Sequence, residues 1–218
     1  MEVGIFHVGR ENPLIELAAA SASRLGYSPV LLTDEKTPSP IPAFRREIDG
    51  ELMVKNVGLQ LEFLKQSGNT VFIDSDVLIL KDVSEVFGRM EKDNCSIAFT
   101  WRDKKQFPIN YGVIFATRKA VPFLEFILEN VKSQSEDRRK WYANQFAVLD
   151  LFTDEQKKKI GRYEIIEHEL GRILMLSCRK YNFSPENARK ITDQSIVHFK
   201  GERKKFMHEV YNGSIQPE

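Results

Sequence analysis

Val71-Phe-Ile-Asp74-Ser-Asp76-Val-Leu-Ile-Leu80 is the stretch on which both fold and chemistry turn. Two carboxylates flank one small residue, with an apolar run on either side. The run Val71 to Ile73, β-branched and aromatic, predicts a buried strand. In open α/β sheets ligands bind beyond the carboxyl ends of the strands, which is where Asp74 and Asp76 fall. On an extended chain residues i and i+2 point to the same side, so both carboxylates are expected to converge on one cation. Mg²⁺ or Mn²⁺ suits that donor set. Spacing alone does not carry this reading: with Asp at about 5% of residues, chance gives roughly one such pair in every two chains this long. The bland alternative is a solvated turn capped by one Asp. The flanking apolar runs weigh against it, because they bring two acids to the edge of a core, where unpaired charge is costly.

Outward from this stretch, strands and helices alternate. Val3 to Val8 predicts a first strand, and Asn12-Pro13 opens a helix through Leu14, Leu17, Ala18 and Leu25 that stops at Gly26. Pro29 to Thr33 reads as a second strand, followed by a proline-rich loop at Thr37 to Pro42. Met53, Val57, Leu61 and Leu64 recur at helical spacing between Glu51 and Gln66. Ser96 to Thr100 and Gly112 to Thr117 predict two further strands. Ala120, Leu124, Ile127, Leu128 and Val131 mark an amphipathic helix. Trp141 to Phe152 is expected to be helical, with short strands at Tyr163 to Ile166 and Ile196 to Phe199. Together these predict an α/β fold: one domain over residues 1–218, with a mainly parallel central sheet flanked by helices. Its C-terminal third is less regular and is expected to wrap back over the sheet.

Composition excludes several classes. Of 218 residues 42% are hydrophobic and 11% aromatic, enough for a sizeable core, which rules out a disordered chain. Lys+Arg 32 against Asp+Glu 31 leaves a net charge of +1, unlike a general nucleic-acid or membrane-surface binder. No apolar run is long enough to span a membrane, and the N-terminal residues do not form a signal peptide. Cys95 and Cys178 form no CxxC pair and read as buried thiols of a reduced compartment. A cytoplasmic, soluble protein is expected.

A second constellation lies near the C-terminus, in Ile196-Val-His198-Phe-Lys200-Gly201-Glu-Arg203-Lys204-Lys205. A β-like run delivers His198, a glycine permits close backbone approach, and a cluster of cations follows. Imidazole is a metal ligand, while glycine amides and Lys204 suit a diphosphate. Read alone, the segment is equally a basic, solvated tail with an incidental histidine.

Four motifs in order give the chain a family resemblance: Asp74-Ser-Asp76 at a strand end, Asn110-Tyr111-Gly112-Val-Ile, Asn144-Gln145 in a helix, and His198-x-x-Gly201-x-x-Lys204. The arrangement resembles the GT-A-fold glycosyltransferases, and within them the retaining family of bacterial galactosyltransferases and glycogenin. That resemblance implies a Rossmann-like sheet, with residues 1–80 forming the nucleotide-binding part. Residues 81–218 would supply the sugar and acceptor part and the C-terminal metal and diphosphate segment. It makes Asp74, Asp76 and His198 ligands of Mn²⁺ (or Mg²⁺) bridging the phosphates of a UDP-sugar, with Gly201 and Lys204 gripping the same diphosphate. Asn110 would lie beside the sugar and Gln145 beneath its anomeric carbon. Phe6, His7 and Asp34 at the first strand ends are candidates for base and ribose, and Lys55 for a phosphate.

One departure bears on the sugar. Asn144 stands where the family has an acid, which leaves the binding of the sugar's hydroxyls open. Trp101-Arg102-Asp103 and Trp141-Tyr142 are candidate acceptor contacts. The acceptor's class (saccharide, lipid-linked glycan, protein or modified nucleic acid) is not encoded in any motif. Two other readings stand beside this one. A sugar-phosphate nucleotidyltransferase would carry a Gly-rich basic loop after the first strand, where this chain has His7-Val-Gly9-Arg10-Glu-Asn-Pro. A non-catalytic nucleotide-sugar-binding module of the same fold finds its best support in Asn144.

Overall fold

The computed structural model describes residues 1–103, 107–162 and 164–213. In chain order its strands are β1 (Glu2–Phe6), β2 (Ser28–Thr33), β3 (Ala43–Arg45), β4 (Thr70–Asp74), β5 (Val77–Ile79), β6 (Cys95–Trp101), β7 (Ile109–Ala116), β8 (Ile165–His168), β9 (Gly171–Ser177) and β10 (Ile196–His198). The helices are α1 (Leu14–Ser23), α2 (Leu52–Leu64), α3 (Ser84–Lys92), α4 (Val121–Ser133), α5 (Glu136–Trp141), α6 (Ala143–Leu149), α7 (Asp154–Lys158), α8 (Cys178–Tyr181) and α9 (Met207–Gly213).

Eight strands form one sheet in the order β3-β2-β1-β4-β7-β6-β9-β8, and β5 and β10 pair separately. Only β7 and β8 run against the other six, so the sheet is mainly parallel as expected. β4 lies near its middle, parallel to β1 and antiparallel to β7. Alternation along β4 sends Val71 and Ile73 into one core and Phe72 into the other, all three no more than 2% exposed. A strand buried on both faces reads as a continuous apolar run, and this is why Val71 to Ile73 was legible. Helices α2, α4 and α6 cover the Phe72 face, while α1, α3 and α9 cover the other.

The structure differs from the sequence expectations in several places. Asp74 ends β4, but Ser75 and Asp76 form a turn, so the two carboxylates converge through that turn and not through strand alternation. The helix expected over Trp141 to Phe152 is shorter: α6 spans Ala143–Leu149, and Tyr142 at φ −133° and ψ 0° separates it from α5, which ends at Trp141. The Arg139 guanidinium grips Glu51 (2.7 and 3.0 Å) and the Gln134 carbonyl (2.6 Å), tying α5 to the start of α2. Strands β3 and β9 and helix α3 are not foreseen. β7 begins at Ile109, and so carries Asn110 within the strand. Tyr163, the first residue of the expected third-quarter strand, lies outside the described residues; Ile165 begins β8. The C-terminal third does return over the sheet, through β10 and through α9 against α1.

Candidate active site

The site is assembled by the small β5–β10 pair. β5 continues the chain from the Asp74–Asp76 turn, and β10 runs antiparallel to it with His198 opposite Val77. Phe199 N donates to the Asp76 carbonyl at 2.8 Å, stapling the C-terminal strand to the turn itself. His198 Nε2 therefore stands 3.1 Å from Asp76 Oδ1 and 3.6 Å from Asp74 Oδ2. One ligand atom from each of the three lies within 4.8 Å of the others. His198 is 3% exposed and Asp76 8%, and Lys204 Nζ sits 3.3 Å from Asp76 Oδ2.

Burial raises the Asp76 carboxyl, but the hydrogen bond and charge of His198 and the charge of Lys204 outweigh it and hold the group at about 2. Asp74 moves upward, chiefly through desolvation and also through the charge of Asp76, with His198 opposing.

Two carboxylates and an imidazole are a donor set for a hard or borderline divalent ion. The space around them is kept by Gly112 on β7. A Cβ there would lie 2.3 Å from His198 Cε1 and 2.7 Å from Asp74 Oδ2, so only glycine leaves room for the imidazole beside the acids. The residues present fit a divalent cation.

These side chains form the floor of an open cleft of about 680 Å³ at the carboxyl ends of β1 and β4. Phe6, His7, Asn110, Gln145, Gly201 and Lys204 all line it. His7 Nε2 donates to the Arg10 carbonyl at 2.7 Å, turning the ring along the loop after β1. Asn110 is 4% exposed, and its Oδ1 accepts from Gly112 N at 3.3 Å. Gln145 Oε1 accepts from the Arg102 guanidinium at 3.3 Å, and Asn144 Oδ1 accepts from Gln145 N at 2.8 Å. Gly201 has φ +58°, a left-handed conformation that suits glycine and starts a 3₁₀ turn carrying Lys204.

Asp34 and Lys55 do not line the cleft. They face each other at 3.8 Å, and Asp34 Oδ1 accepts from the amides of Lys36 and Thr37 and from the Thr37 hydroxyl. Trp101 packs over Gly161 away from the cleft, whereas Trp141 and Tyr142 stand on its rim, 68% and 53% exposed.

Four cleft or near-cleft residues are not foreseen from the sequence as site residues. Lys200 lines the floor and is pushed down to about 8 by burial and by the charge of Arg102, against the pull of Asp74 and Asp76. Asn12 Nδ2 donates to Ser75 Oγ at 3.1 Å, bracing the turn between the two acids. Asn56 is 2% exposed, lines the cleft, and its Oδ1 has no partner among the described residues. Asn182 lies behind His198, whose Nδ1 is 3.0 Å from the Asn182 side-chain oxygen. A signal existed for Asn56: it and Gln60 are polar at α2 positions that helical spacing assigns to the core. Asn182 sits in no motif and carried no signal.

This architecture is shared with solved glycosyltransferases. One, involved in glycosylation of the major capsid of PBCV-1, matches with a TM-score of 0.61 at 13% identity, over 96% of this chain and 98% of that one. The galactosyltransferase LgtC, solved with donor and acceptor sugar analogues, matches with a TM-score of 0.61 at 11% identity, over 100% and 98%. This chain has a GT-A glycosyltransferase fold. The same GT-A likeness extends to the bifunctional glycosyltransferase WbbM, with a TM-score of 0.61 at 12% identity over 99% of this chain and 49% of that one. Identity this low speaks for the GT-A fold alone. No family model and no curated protein matches the sequence. Among the described residues of this GT-A chain no helix is long and apolar enough to cross a membrane, and Cys95 and Cys178 are buried and unpaired.

Proposed function

We propose that this protein is a metal-dependent glycosyltransferase. It moves a sugar from a nucleotide diphosphate donor, UDP-linked, to a hydroxyl of an acceptor, with retention of anomeric configuration. The observation that carries the reading is the convergence of Asp74, Asp76 and His198 at the floor of the cleft, with Lys204 beside them. Asp74, Asp76 and His198 would hold Mn²⁺ or Mg²⁺, which as a Lewis acid neutralises the negative charge that grows on the departing diphosphate.

The chain's own groups share that task. Lys204 and Lys200 offer ammonium groups to phosphate oxygens, and the backbone at Gly201 approaches them without side-chain obstruction. A bound diphosphate favours the charged form of Lys200, which burial and the charge of Arg102 disfavour. Phe6 and His7 border the side where base and ribose would lie. Asn110 and Gln145 orient the sugar, and Gln145 is itself held by Arg102. Asp34 remains a candidate for the ribose and Lys55 for a phosphate, although here the two pair with each other outside the cleft lining. We place all of this in one domain of residues 1–218, working in the cytoplasm.

The acceptor is taken as a saccharide. Trp141 and Tyr142 offer two exposed rings at the rim, and sugar C–H faces pack on such surfaces. The nucleotidyltransferase reading fares worse, because the amide of Gly9, the one glycine of the loop after β1, donates to Thr37 Oγ1 at 2.8 Å and is not free for phosphate.

Titration of UDP by calorimetry, with Mn²⁺ and then with chelator, tests the proposal on wild type and Asp76→Asn. Metal-dependent binding that the variant loses is expected, followed by transfer from a UDP-sugar in an acceptor screen. Pyrophosphate release from UTP and a sugar phosphate would instead favour the nucleotidyltransferase, and binding without hydrolysis or transfer a non-catalytic module.

A further inference from the structure

We infer that Asn182 is a positioning residue that fixes His198 in the tautomer competent to bind a divalent cation, and that ties this ligand to the strand bearing Asn110. The inference rests on the metal-site reading above and deepens it.

Its first support is bookkeeping of donors and acceptors in a dry place. Asn182 is 1% exposed, Thr100 0% and His198 3%. One terminal atom of the Asn182 amide faces the Asn110 carbonyl at 3.3 Å and Thr100 Oγ1 at 2.8 Å. A carbonyl only accepts, and Thr100 Oγ1, which has that same carbonyl at 3.0 Å and the Cys178 thiol as outlets for its own proton, accepts as well. The atom facing both must be the NH₂ group, with its two protons used. The amide oxygen is then the atom turned to His198 Nδ1 at 3.0 Å. An oxygen acceptor demands a proton on Nδ1, so Nε2 is the ring nitrogen left to give up its proton and offer a lone pair to a cation held between it, Asp74 and Asp76. Three acceptors facing one another form a cation site; the opposite tautomer would put a proton there and block it. Partners that orient a ligating imidazole in this way tune metal affinity.

The second support is mechanical. Asn182 bridges three strands that build the cleft: β6 through Thr100, β7 through the Asn110 carbonyl, and β10 through His198. The next residue repeats the tie, since His198 N donates to the Phe183 carbonyl at 2.7 Å. A shift of His198 is thereby transmitted to the backbone at Asn110, beside the place proposed for the sugar.

The test compares wild type with Asn182→Leu, which removes both functions, and Asn182→Asp, which keeps an acceptor for Nδ1 but sets oxygen against the Asn110 carbonyl. Long-range ¹H–¹⁵N spectra of the protein with UDP and diamagnetic Mg²⁺ report which ring nitrogen carries the proton, with His198→Gln assigning the signal. Free Mn²⁺ measured by electron paramagnetic resonance, at fixed UDP, reports metal affinity. Expected are an Nδ1–H ring in wild type, its loss in Asn182→Leu with a fall of about 10–100-fold in Mn²⁺ affinity, and recovery of most of both in Asn182→Asp. An Nε2–H ring in wild type overturns the inference, as does equal Mn²⁺ affinity in wild type and a folded Asn182→Leu. Should Asn182→Leu fail to fold, the wild-type tautomer and the Asn182→Asp titration decide. Absence of Mn²⁺ binding in wild type with the Nδ1–H ring intact sinks the metal reading and the role given to Asn182 with it. An Nε2–H ring with Mn²⁺ still bound sinks Asn182 alone.

Discussion

The floor and the rim of the cleft are built on opposite principles. At the floor, Asp76, His198, Asn110 and Asn182 are nearly inaccessible, and each is fixed by neighbours from a different strand. At the rim, Trp141 and Tyr142 project from a helix break into solvent. The Tyr142 ring stacks on Phe107 at 5.6 Å. The difference teaches where this fold holds its geometry and where it leaves latitude. A divalent ion tolerates errors of only a few tenths of an ångström in its ligands, so Asp74 and His198 are set on paired strands and Asp76 in the turn those strands clamp. A sugar face can be met by an aromatic ring in many poses, so a helix break suffices.

The sharpest way to break this comparison is at the ligands. Asp76→Asn or His198→Ala is expected to lower transfer by at least about 10³-fold while leaving the circular dichroism spectrum unchanged, since the loss is of charge stabilisation in the transition state. Chelator should reproduce the loss in wild type, and added Mn²⁺ should reverse it. Near-normal, metal-dependent turnover in either variant would remove the floor from the mechanism.

Gly112→Ala comes next, because it leaves every ligand in place and alters only space. Its methyl group would stand 2.3 Å from His198 Cε1. UDP–Mn²⁺ affinity should fall by about 10-fold or more and stability by about 1–3 kcal/mol, read by calorimetry and urea unfolding. Wild-type affinity would mean that the floor is softer than its packing implies.

The rim should answer differently. Trp141→Ala is expected to shift the unfolding free energy by no more than about 0.5 kcal/mol and to leave UDP–Mn²⁺ binding intact. The KM for a saccharide acceptor should rise several-fold, which steady-state kinetics would show. Equal losses in donor and acceptor binding would erase the distinction between the two regions.

The smallest effect is a baseline remote from both. Asp82 accepts hydrogen bonds from the Tyr27 hydroxyl and from the Ser84 amide and hydroxyl, which hold its carboxyl down at about 2 from an ordinary 3.8. A depressed carboxylate stabilises the fold above the unfolded value and loses that contribution as pH falls through the folded one. Asp82→Asn should therefore flatten the stability profile between about pH 4 and 2, by about 0.5 kcal/mol for so exposed a group. Urea titrations across that range, with the cleft variants alongside, separate local acid sensitivity from that of the floor.

The sequence by itself determined what one-dimensional pattern can encode. Burial on both faces of β4 wrote the continuous run Val71 to Ile73, and helical spacing wrote α2 and α4. Carboxylates at a strand end announced a ligand, and the four ordered motifs carried the resemblance. A short element such as β3 escaped because three residues fix no period, although α3 does carry helical spacing in Val86, Phe87 and Met90, and the tie from Arg139 to Glu51 joins residues far apart in the chain. What only the tertiary structure decided is the meeting of distant residues. The pairing of β5 with β10 brings His198 to Asp76, the bare Cα of Gly112 leaves room for the ring, and Asn182 becomes its partner although no motif contains it. Periodicity along a chain reports which side chains are buried. Which buried group touches which is settled only when the strands have packed and every polar atom among them must find a partner.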